Sequence, residues 1–243
     1  MIEQIEGIIV SEKNYGDTSK ILDILTKEHG IIGVIAKGCK TMKSNLRSVS
    51  SKLTFGIFTI YYKKDKLSIL SEVDVLNNFN NIKKDIEKIS FASFLLDLST
   101  QVYKQSQNSD VYDLLISGLI KINENYDSLV ITNIIELKYL DYLGVMPNLD
   151  GCTICGNKNI VTLSSDKGGY LCKNCLENEP IISEKTIKLI RMYYYVDISK
   201  ISRLSVSEDV KNEINSFLDS YYDRYTGLYL KSKKFLKSML DIK

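Results

Sequence analysis

Two closely spaced pairs of cysteines constrain the fold of this chain more than any other feature. Cys152 and Cys155 form the first pair and Cys172 and Cys175 the second, in the pattern C-x2-C-x16-C-x2-C. Two residues between thiolates allow one turn to present both sulfurs to a tetrahedral ion, and this spacing is typical of a four-cysteine zinc site. Since disulfides do not persist in a reducing cytosol, we interpret residues 151–180 as a module held together by one structural zinc ion.

Other uses of paired cysteines fit the sequence less well. A thioredoxin-like redox pair needs one C-x-x-C at the start of a helix, in a pattern of alternating strands and helices that is absent here. A catalytic zinc usually keeps one position open for water and commonly uses histidine. The single histidine, His29, is more than a hundred residues away, and no H-x-E precedes a P-C-x-x-C as in zinc deaminases. A small zinc-dependent hydrolase is therefore the weaker alternative.

Charge and hydropathy limit the remaining classes. Lys and Arg number 32 against 30 for Asp and Glu, so a surface for nucleic acid must come from local segregation of charge. No apolar run approaches the roughly 18 residues that cross a bilayer, and the opening MIEQIEGIIV lacks the features of a signal peptide. The G-x-x-x-x-G-K-[ST] motif is also absent. We expect a cytoplasmic protein that uses neither a membrane nor a nucleotide cofactor.

The N-terminal third of the chain alternates in the manner of β-strands. Five runs rich in β-branched residues are predicted strands: residues 4–10, 19–26, 31–36, 52–62 and 67–76. In the fifth run we expect Leu67, Ile69, Val73 and Val75 to share the buried face, with Ser68 on the other. Five antiparallel strands of this length suit a small closed barrel of the OB type over residues 1–79, which we predict to be the DNA-binding domain.

From residue 80 the apolar residues follow the helical period instead. Amphipathic helices are predicted over roughly 82–102, 111–122, 129–143, 183–195 and 210–225, with Gly144 as an exit and the sequence SVSE at 205–208 as a capping box. The cysteine module lies between two of these helices, so the metal should tie the two parts of a helical domain together. The predicted class is α+β: an OB-type barrel, then a helical domain over residues 80–243 with the zinc module inserted at 151–180.

One connection between predicted strands is strongly basic. Residues 37–48, termed here the basic loop, contain no acidic residue and four basic ones: Lys37, Lys40, Lys43 and Arg47. Such side chains beside hydroxyls and amides suit phosphate oxygens, so we predict that they bind DNA. Tyr61 and Tyr62 on the next strand are candidates for stacking on an unpaired base. A solvated loop that keeps the barrel soluble is the alternative.

The order of these parts resembles the RecO family of bacterial recombination mediators. The motifs EGIIV at 6–10, YGD at 15–17, LTKEHG at 25–30 and AKG at 36–38 are similar to the family's barrel. The stretch from LG at 143–144 to Cys155 is similar to its zinc entry, and YTGLYLKSKKFL at 225–236 to its tail motif. The resemblance spans nearly the whole chain.

The resemblance implies a non-catalytic, nucleoid-associated protein. It would bind single- and double-stranded DNA, anneal complementary strands and, with RecR, help to load RecA on DNA coated by the single-stranded-DNA-binding protein. It would also capture the acidic C-terminal tail of that protein on its helical domain. Candidate contacts with a partner or DNA are the C-terminal lysines, Lys231, Lys233, Lys234 and Lys237, although a solvated helix face explains any one of them as well. The alternative from another class is a zinc-ribbon and OB adaptor of the transcription machinery.

Overall fold

The structure is a computed structural model that describes residues 1–64, 66–202 and 205–240. Strands give way to helices between Asn77 and Asn80, where the sequence pattern changes. The chain forms two compact units, but the boundary between them does not coincide with this change from strands to helices. The first unit is Met1–Leu119 with the segment from Ser232 onward, and the second is Ile120–Lys231. A domain boundary between residues 79 and 80 therefore stays a prediction.

The first unit contains an OB-like sheet of five strands: β1 Ile2–Tyr15, β2 Ser19–Thr26, β3 Gly30–Ala36, β4 Phe55–Tyr61 and β5 Ser68–Asn77. The strands pair in the order β1-β2-β3-β5-β4, and β4 pairs back onto β1, so the sheet closes on itself. The OB-type prediction is confirmed, although β3 and β5 run parallel, not antiparallel as expected. Inward-facing aliphatic and aromatic side chains, among them Ile9, Leu22 and Phe58, form the core of the barrel.

The predicted buried face of β5 is wrong over the first part of the strand. Ser68 and Leu70 are buried, whereas Leu67 is 39% exposed. The cause is a β-bulge: Thr59 pairs with Glu72 and Ile60 with Leu70, so one residue of β5 has no partner on β4. An extra residue reverses the alternation of side chains, so the predicted face points outward before the bulge. Beyond it Val73 is half-buried against the barrel core, but Val75 is 36% exposed, so the prediction holds only at Val73.

Seven α-helices follow in the described part of the chain: α1 Asn80–Lys83, α2 Ile86–Ser106, α3 Asp110–Asn123, α4 Ser128–Tyr142, α5 Glu184–Tyr195, α6 Glu208–Tyr225 and α7 Lys231–Leu240. Side chains of Asp85, Asp127 and Ser183 accept hydrogen bonds from the first-turn N–H groups of α2, α4 and α5. The capping box predicted at residues 205–208 does not form. The N-cap of α6 is Ser207, and its side chain makes no capping hydrogen bond. None of the described helices combines the length and apolar character needed to span a membrane.

Helix α4 forms the centre of the second unit. Most of its side chains are buried, and it packs against both α5 and α6. Tyr222 of α6 donates a hydrogen bond to the carbonyl oxygen of Glu136 at 2.8 Å. Lys211, also on α6, lies 2.7 Å from the carboxylate of Asp127, the residue that caps α4. Helices α4 to α6 are thus the frame to which the cysteine module is attached.

Candidate metal centre and nucleic-acid surface

The four cysteines of the two pairs converge in space. The Sγ atoms of Cys152, Cys155, Cys172 and Cys175 all lie within 4.8 Å of one another. The Sγ atoms of Cys155 and Cys172 are 3.6 Å apart. A tetrahedral zinc ion with Zn–S bonds of about 2.3 Å separates its sulfurs by about 3.8 Å, so this spacing suits such an ion. The donor set can therefore hold a metal ion, and four thiolates would fill its coordination shell.

Each cysteine pair is presented by a single turn, but the turns of the two pairs differ. After the first pair, Gly156 adopts a φ of 74° and its N–H donates to the carbonyl oxygen of Cys152 at 2.8 Å. The second pair has no glycine. There Cys172 ends strand β7 (Gly169–Cys172), and a single 3-10 turn, Lys173–Cys175, carries the chain to the last ligand. Strand β7 pairs with β6 (Ile160–Ser164), so a short hairpin fixes the distance between the pairs.

The backbone around the cluster favours a thiolate at Cys152. Burial opposes ionisation of this thiol, but hydrogen bonds from the backbone of Cys172, Cys155 and Ile154 outweigh burial and lower the pKa of Cys152 to about 6. Metal ions bind the deprotonated sulfur. The turns therefore prepare at least one ligand in the form that a metal requires.

The module is tied directly to the helices that follow it. Thr162 of β6 donates to the carbonyl oxygen of Pro180 at 2.5 Å, and the Ile182 N–H donates to Val161 at 3.1 Å. Tyr170 of β7 donates to the carbonyl oxygen of Ile187 on α5. A metal at the cysteines would thus also fix the start of α5.

The basic loop is a series of turns on the barrel surface. N–H groups of Thr41, Ser44 and Arg47 donate to carbonyl oxygens three residues earlier, at 3.0, 3.2 and 3.1 Å. All four predicted DNA-binding side chains are exposed: Lys37, Lys40, Lys43 and Arg47. Within residues 1–64, 66–202 and 205–240, no salt bridge involves any of them. Their charge is available to phosphate oxygens.

Residues about twenty positions earlier in the chain hold the start of this loop. The Gly38 N–H donates to Ser19 Oγ at 3.1 Å, and the Lys40 N–H donates to the Thr18 carbonyl oxygen at 2.9 Å. Between them Cys39, the cysteine that belongs to neither pair, is 1% exposed in the barrel core. The sequence did not indicate that Thr18 and Ser19 contact the loop, because no local pattern connects residues about twenty positions apart.

The predicted stacking residues lie at the end of β4, two strands away from the end of β3. Ile69 of β5 pairs with both Tyr61 and Ile35, and the basic loop begins directly after β3. Neighbouring strands are about 4.8 Å apart, so the Cα atoms of Tyr61 and Ile35 are separated by about 10 Å. The ring of Tyr62 stacks on His29 with centroids 5.0 Å apart, and Tyr61 is 48% exposed. The stacking role of the two tyrosines stays a prediction.

The four C-terminal lysines lie on helix α7, which is attached to α2 within the first unit. Ser232 donates to the Asp97 carboxylate at 2.5 Å, and the Lys233 ammonium lies 5.8 Å from the ring centroid of Phe94. Lys231, Lys234 and Lys237 are exposed, and Lys233 is half-buried. Their role as contacts for a partner or for DNA stays a prediction.

An OB-like barrel, a helical part and a four-cysteine cluster are the architecture expected of a RecO-type DNA repair protein, and comparison with known families agrees. The family model described as "Recombination protein O N terminal" matches residues 1–79, and the one described as "Recombination protein O C terminal" matches residues 83–234. The chain belongs to the RecO family.

Curated relatives extend over the full length. The protein named DNA repair protein RecO from Bacillus pumilus (strain SAFR-032) is 35% identical over 250 residues, covering 100% of this chain and 96% of its own. The proteins of the same name from Listeria monocytogenes serotype 4b (strain CLIP80459) and Bacillus subtilis (strain 168) are 34% and 33% identical, and the alignments cover 95% and 97% of their lengths. The resemblance that the motifs indicated is confirmed.

Proposed function

We propose that this chain is a non-catalytic recombination mediator. It binds single- and double-stranded DNA, anneals complementary strands and, with RecR, helps to load RecA on DNA coated by the single-stranded-DNA-binding protein. The observation that carries this proposal is the basic loop, which places four exposed positive charges and no negative charge on an OB-like barrel in a RecO-family chain. Residues 1–79 would be the DNA-binding domain, and residues 80–243 the helical domain that contains the metal module.

The physical requirement of annealing supports this assignment. Two phosphate chains must approach each other without being read for sequence, so the protein has to neutralise phosphates and leave base edges free. Lys37, Lys40, Lys43 and Arg47 suit this task because they are exposed and unpaired with carboxylates within the described part of the chain. The net charge of the chain is only +2, so the clustering of charge matters more than its total.

The partners and the metal form a second part of the proposal. The four cysteines would hold one structural zinc ion, whose four thiolate ligands leave no position for a substrate water. The acidic tail of the single-stranded-DNA-binding protein would bind basic and apolar side chains of the helical domain, with Lys231, Lys233, Lys234 and Lys237 as candidates. The protein would work in the cytoplasm, associated with the nucleoid and without a nucleotide cofactor. No feature of the described site favours the hydrolase or the transcription adaptor.

Annealing of two complementary oligonucleotides, followed without nucleotide across a salt series, tests the central proposal. Changing all four basic residues of the loop to Ala should abolish annealing and weaken binding to single strands. The slope of log affinity against log salt should become shallower by about 0.7 for each phosphate that the variant no longer neutralises.

The matched control removes the same number of positive charges from two other connections of the same barrel, those between β2 and β3 and between β4 and β5. Lys27, Lys63, Lys64 and Lys66 are all exposed, and their change to Ala should leave annealing intact. Equal loss in both variants would show that only total charge matters. If the unmodified protein neither binds nor anneals DNA, the mediator proposal is wrong.

A further inference from the structure

We infer that Tyr15 is a base-stacking residue of the DNA surface, placed beside the basic loop by the tip of the β1–β2 hairpin. This inference rests on the proposed function and adds to it a residue and a mode of binding. The ligand class is single-stranded nucleic acid, because only an unpaired base offers a free face to an aromatic ring.

The hairpin extends beyond the strand that closes the barrel. Strand β4 pairs with β1 only from Ile2 to Ile8, whereas β1 and β2 continue to pair as far as Tyr15 and Ser19. A bulge between Ile9 and Ser11 marks the change. Tyr15 thus stands at the end of a projecting hairpin, next to the turn at Gly16, and is 54% exposed.

Four hydrogen bonds attach this hairpin to both ends of the segment that contains the basic loop. At the start of that segment, Ser19 and Thr18 accept from the Gly38 and Lys40 N–H groups. At its end, Lys20 Nζ donates to the Ser50 carbonyl oxygen at 3.1 Å, and the Lys52 N–H donates to Glu12 Oε2 at 2.8 Å. Since Ser19 is also the residue that pairs with Tyr15, the aromatic ring and the loop belong to one continuous surface.

The chemistry of this surface fits a single strand. Lys37 and Lys40 flank the attachment point, and the turn adds one carboxylate, Asp17. Among the described aromatic and cationic side chains, none is stacked on the Tyr15 ring. A positively charged surface beside an unoccupied aromatic face suits binding of single strands without sequence preference, since phosphates meet the cations and a base can stack on the ring.

Affinity measurements separate stacking from charge. Tyr15→Ala should weaken binding to a single-stranded oligonucleotide by about 5- to 150-fold while leaving the salt slope unchanged, because stacking releases no counterions. Tyr15→Phe should retain most of the affinity, and binding to duplex DNA should change little in either variant. Tyr195→Ala, at an exposed tyrosine on α5, is the matched control and should bind like the unmodified protein.

A second readout is direct, because the chain contains no tryptophan. Tyr15→Trp introduces a single indole, whose fluorescence should be quenched when a single strand binds, whereas the indole of Tyr195→Trp should not respond. If Tyr15→Ala binds as tightly as the unmodified protein, or if the indole at 15 is not quenched, the inference is overturned and the mediator proposal stands. If the unmodified protein binds no DNA at all, both fail together.

Discussion

At the residue scale, Gly30 has two separate reasons to be glycine. It opens β3 with a φ of 65°, in the left-handed region that disfavours side chains. A Cβ atom at this position would also lie 1.8 Å from the hydroxyl oxygen of Tyr103 on α2. The carbonyl oxygen of Gly30 accepts a hydrogen bond from Thr26 Oγ1 at 2.8 Å, which holds the backbone in place.

We expect Gly30→Ala to destabilise the protein more than Gly16→Ala does. Gly16 also has a positive φ, 58°, but nothing lies within 4 Å of its Cβ position. Its change to Ala should lower the free energy of unfolding by about 1–2 kcal/mol, the cost of the left-handed backbone alone. Gly30→Ala should cost this amount plus the displacement of Tyr103, as measured by urea denaturation. Equal costs would mean that the Tyr103 ring moves aside freely.

Individual residues also show which parts of the candidate site could be predicted from the sequence. The cysteine ligands were predictable because the turn that presents each pair is local in the chain. The surroundings of Tyr61 and Tyr62 were not, because they depend on the pairing of β5 with both β4 and β3, which leaves no local pattern in the sequence. The sequence pointed to these two tyrosines and passed over Tyr15, whose neighbours on the surface are separated from it by the whole of β2 and β3.

At the scale of elements, the cysteine hairpin allows the metal to be tested separately from folding of the barrel. We expect one zinc ion per chain, and its loss from Cys155→Ser or from protein treated with a chelator. Cys155 is exposed, so the exchange of sulfur for oxygen disturbs packing little. The second unit should then become sensitive to limited proteolysis around residues 145–185, because the start of α5 is fixed through the module.

The fifth cysteine supplies the control for this experiment. Cys39 is buried in the barrel core and lies outside the cluster, so Cys39→Ala should keep the full zinc content. Zinc measured by elemental analysis gives the stoichiometry in each variant. A full zinc content in Cys155→Ser would contradict the four-thiolate site.

The elements differ in how well their bounds follow from the sequence. Strand β2 begins and ends as predicted, because its apolar pattern is bounded by clear turns. Strand β1 continues five residues past its predicted end through SEKNY, a polar stretch that is extended only because β2 pairs with it. Strand β4 begins three residues later than predicted, since Leu53 has a φ of 70° and cannot continue a strand.

At the scale of the whole molecule, buried tyrosines should make the protein unstable in alkali. Burial is the largest cause that raises the pKa of five of them: Tyr112, Tyr170, Tyr193, Tyr221 and Tyr222. In the unfolded chain tyrosine ionises near pH 10, so above that pH the unfolded state loses protons that the folded state keeps. The contribution of these tyrosines to the free energy of unfolding should therefore be constant below about pH 10 and fall above that pH.

Urea denaturation between pH 9 and 11 gives the size of the effect. Each such tyrosine contributes a slope that approaches about 1.4 kcal/mol per pH unit, so Tyr222→Phe should make the decline shallower by this amount. An unchanged slope in Tyr222→Phe would show that its hydroxyl is not protected by burial.

The two-part architecture was visible in the sequence because the apolar period changes at residue 80, whereas the grouping of helices was not. Helix α7 belongs to the first compact unit, together with the barrel and α2. The hydrogen bond that attaches it there joins Ser232 to Asp97, 135 residues apart in the chain. Contacts at such separations leave no periodic signal in a single sequence.

The turns of the basic loop also determine when its conformational entropy is lost. Fixing the backbone of one residue costs about 1–2 kcal/mol of conformational entropy. In the basic loop this cost is met when the barrel folds, because turns and contacts with the hairpin already order the loop. A disordered segment would meet the same cost on each encounter with DNA. Strands could then be captured and released repeatedly without refolding the loop, which suits the proposed annealing function, in which two strands are held briefly and the paired product is let go.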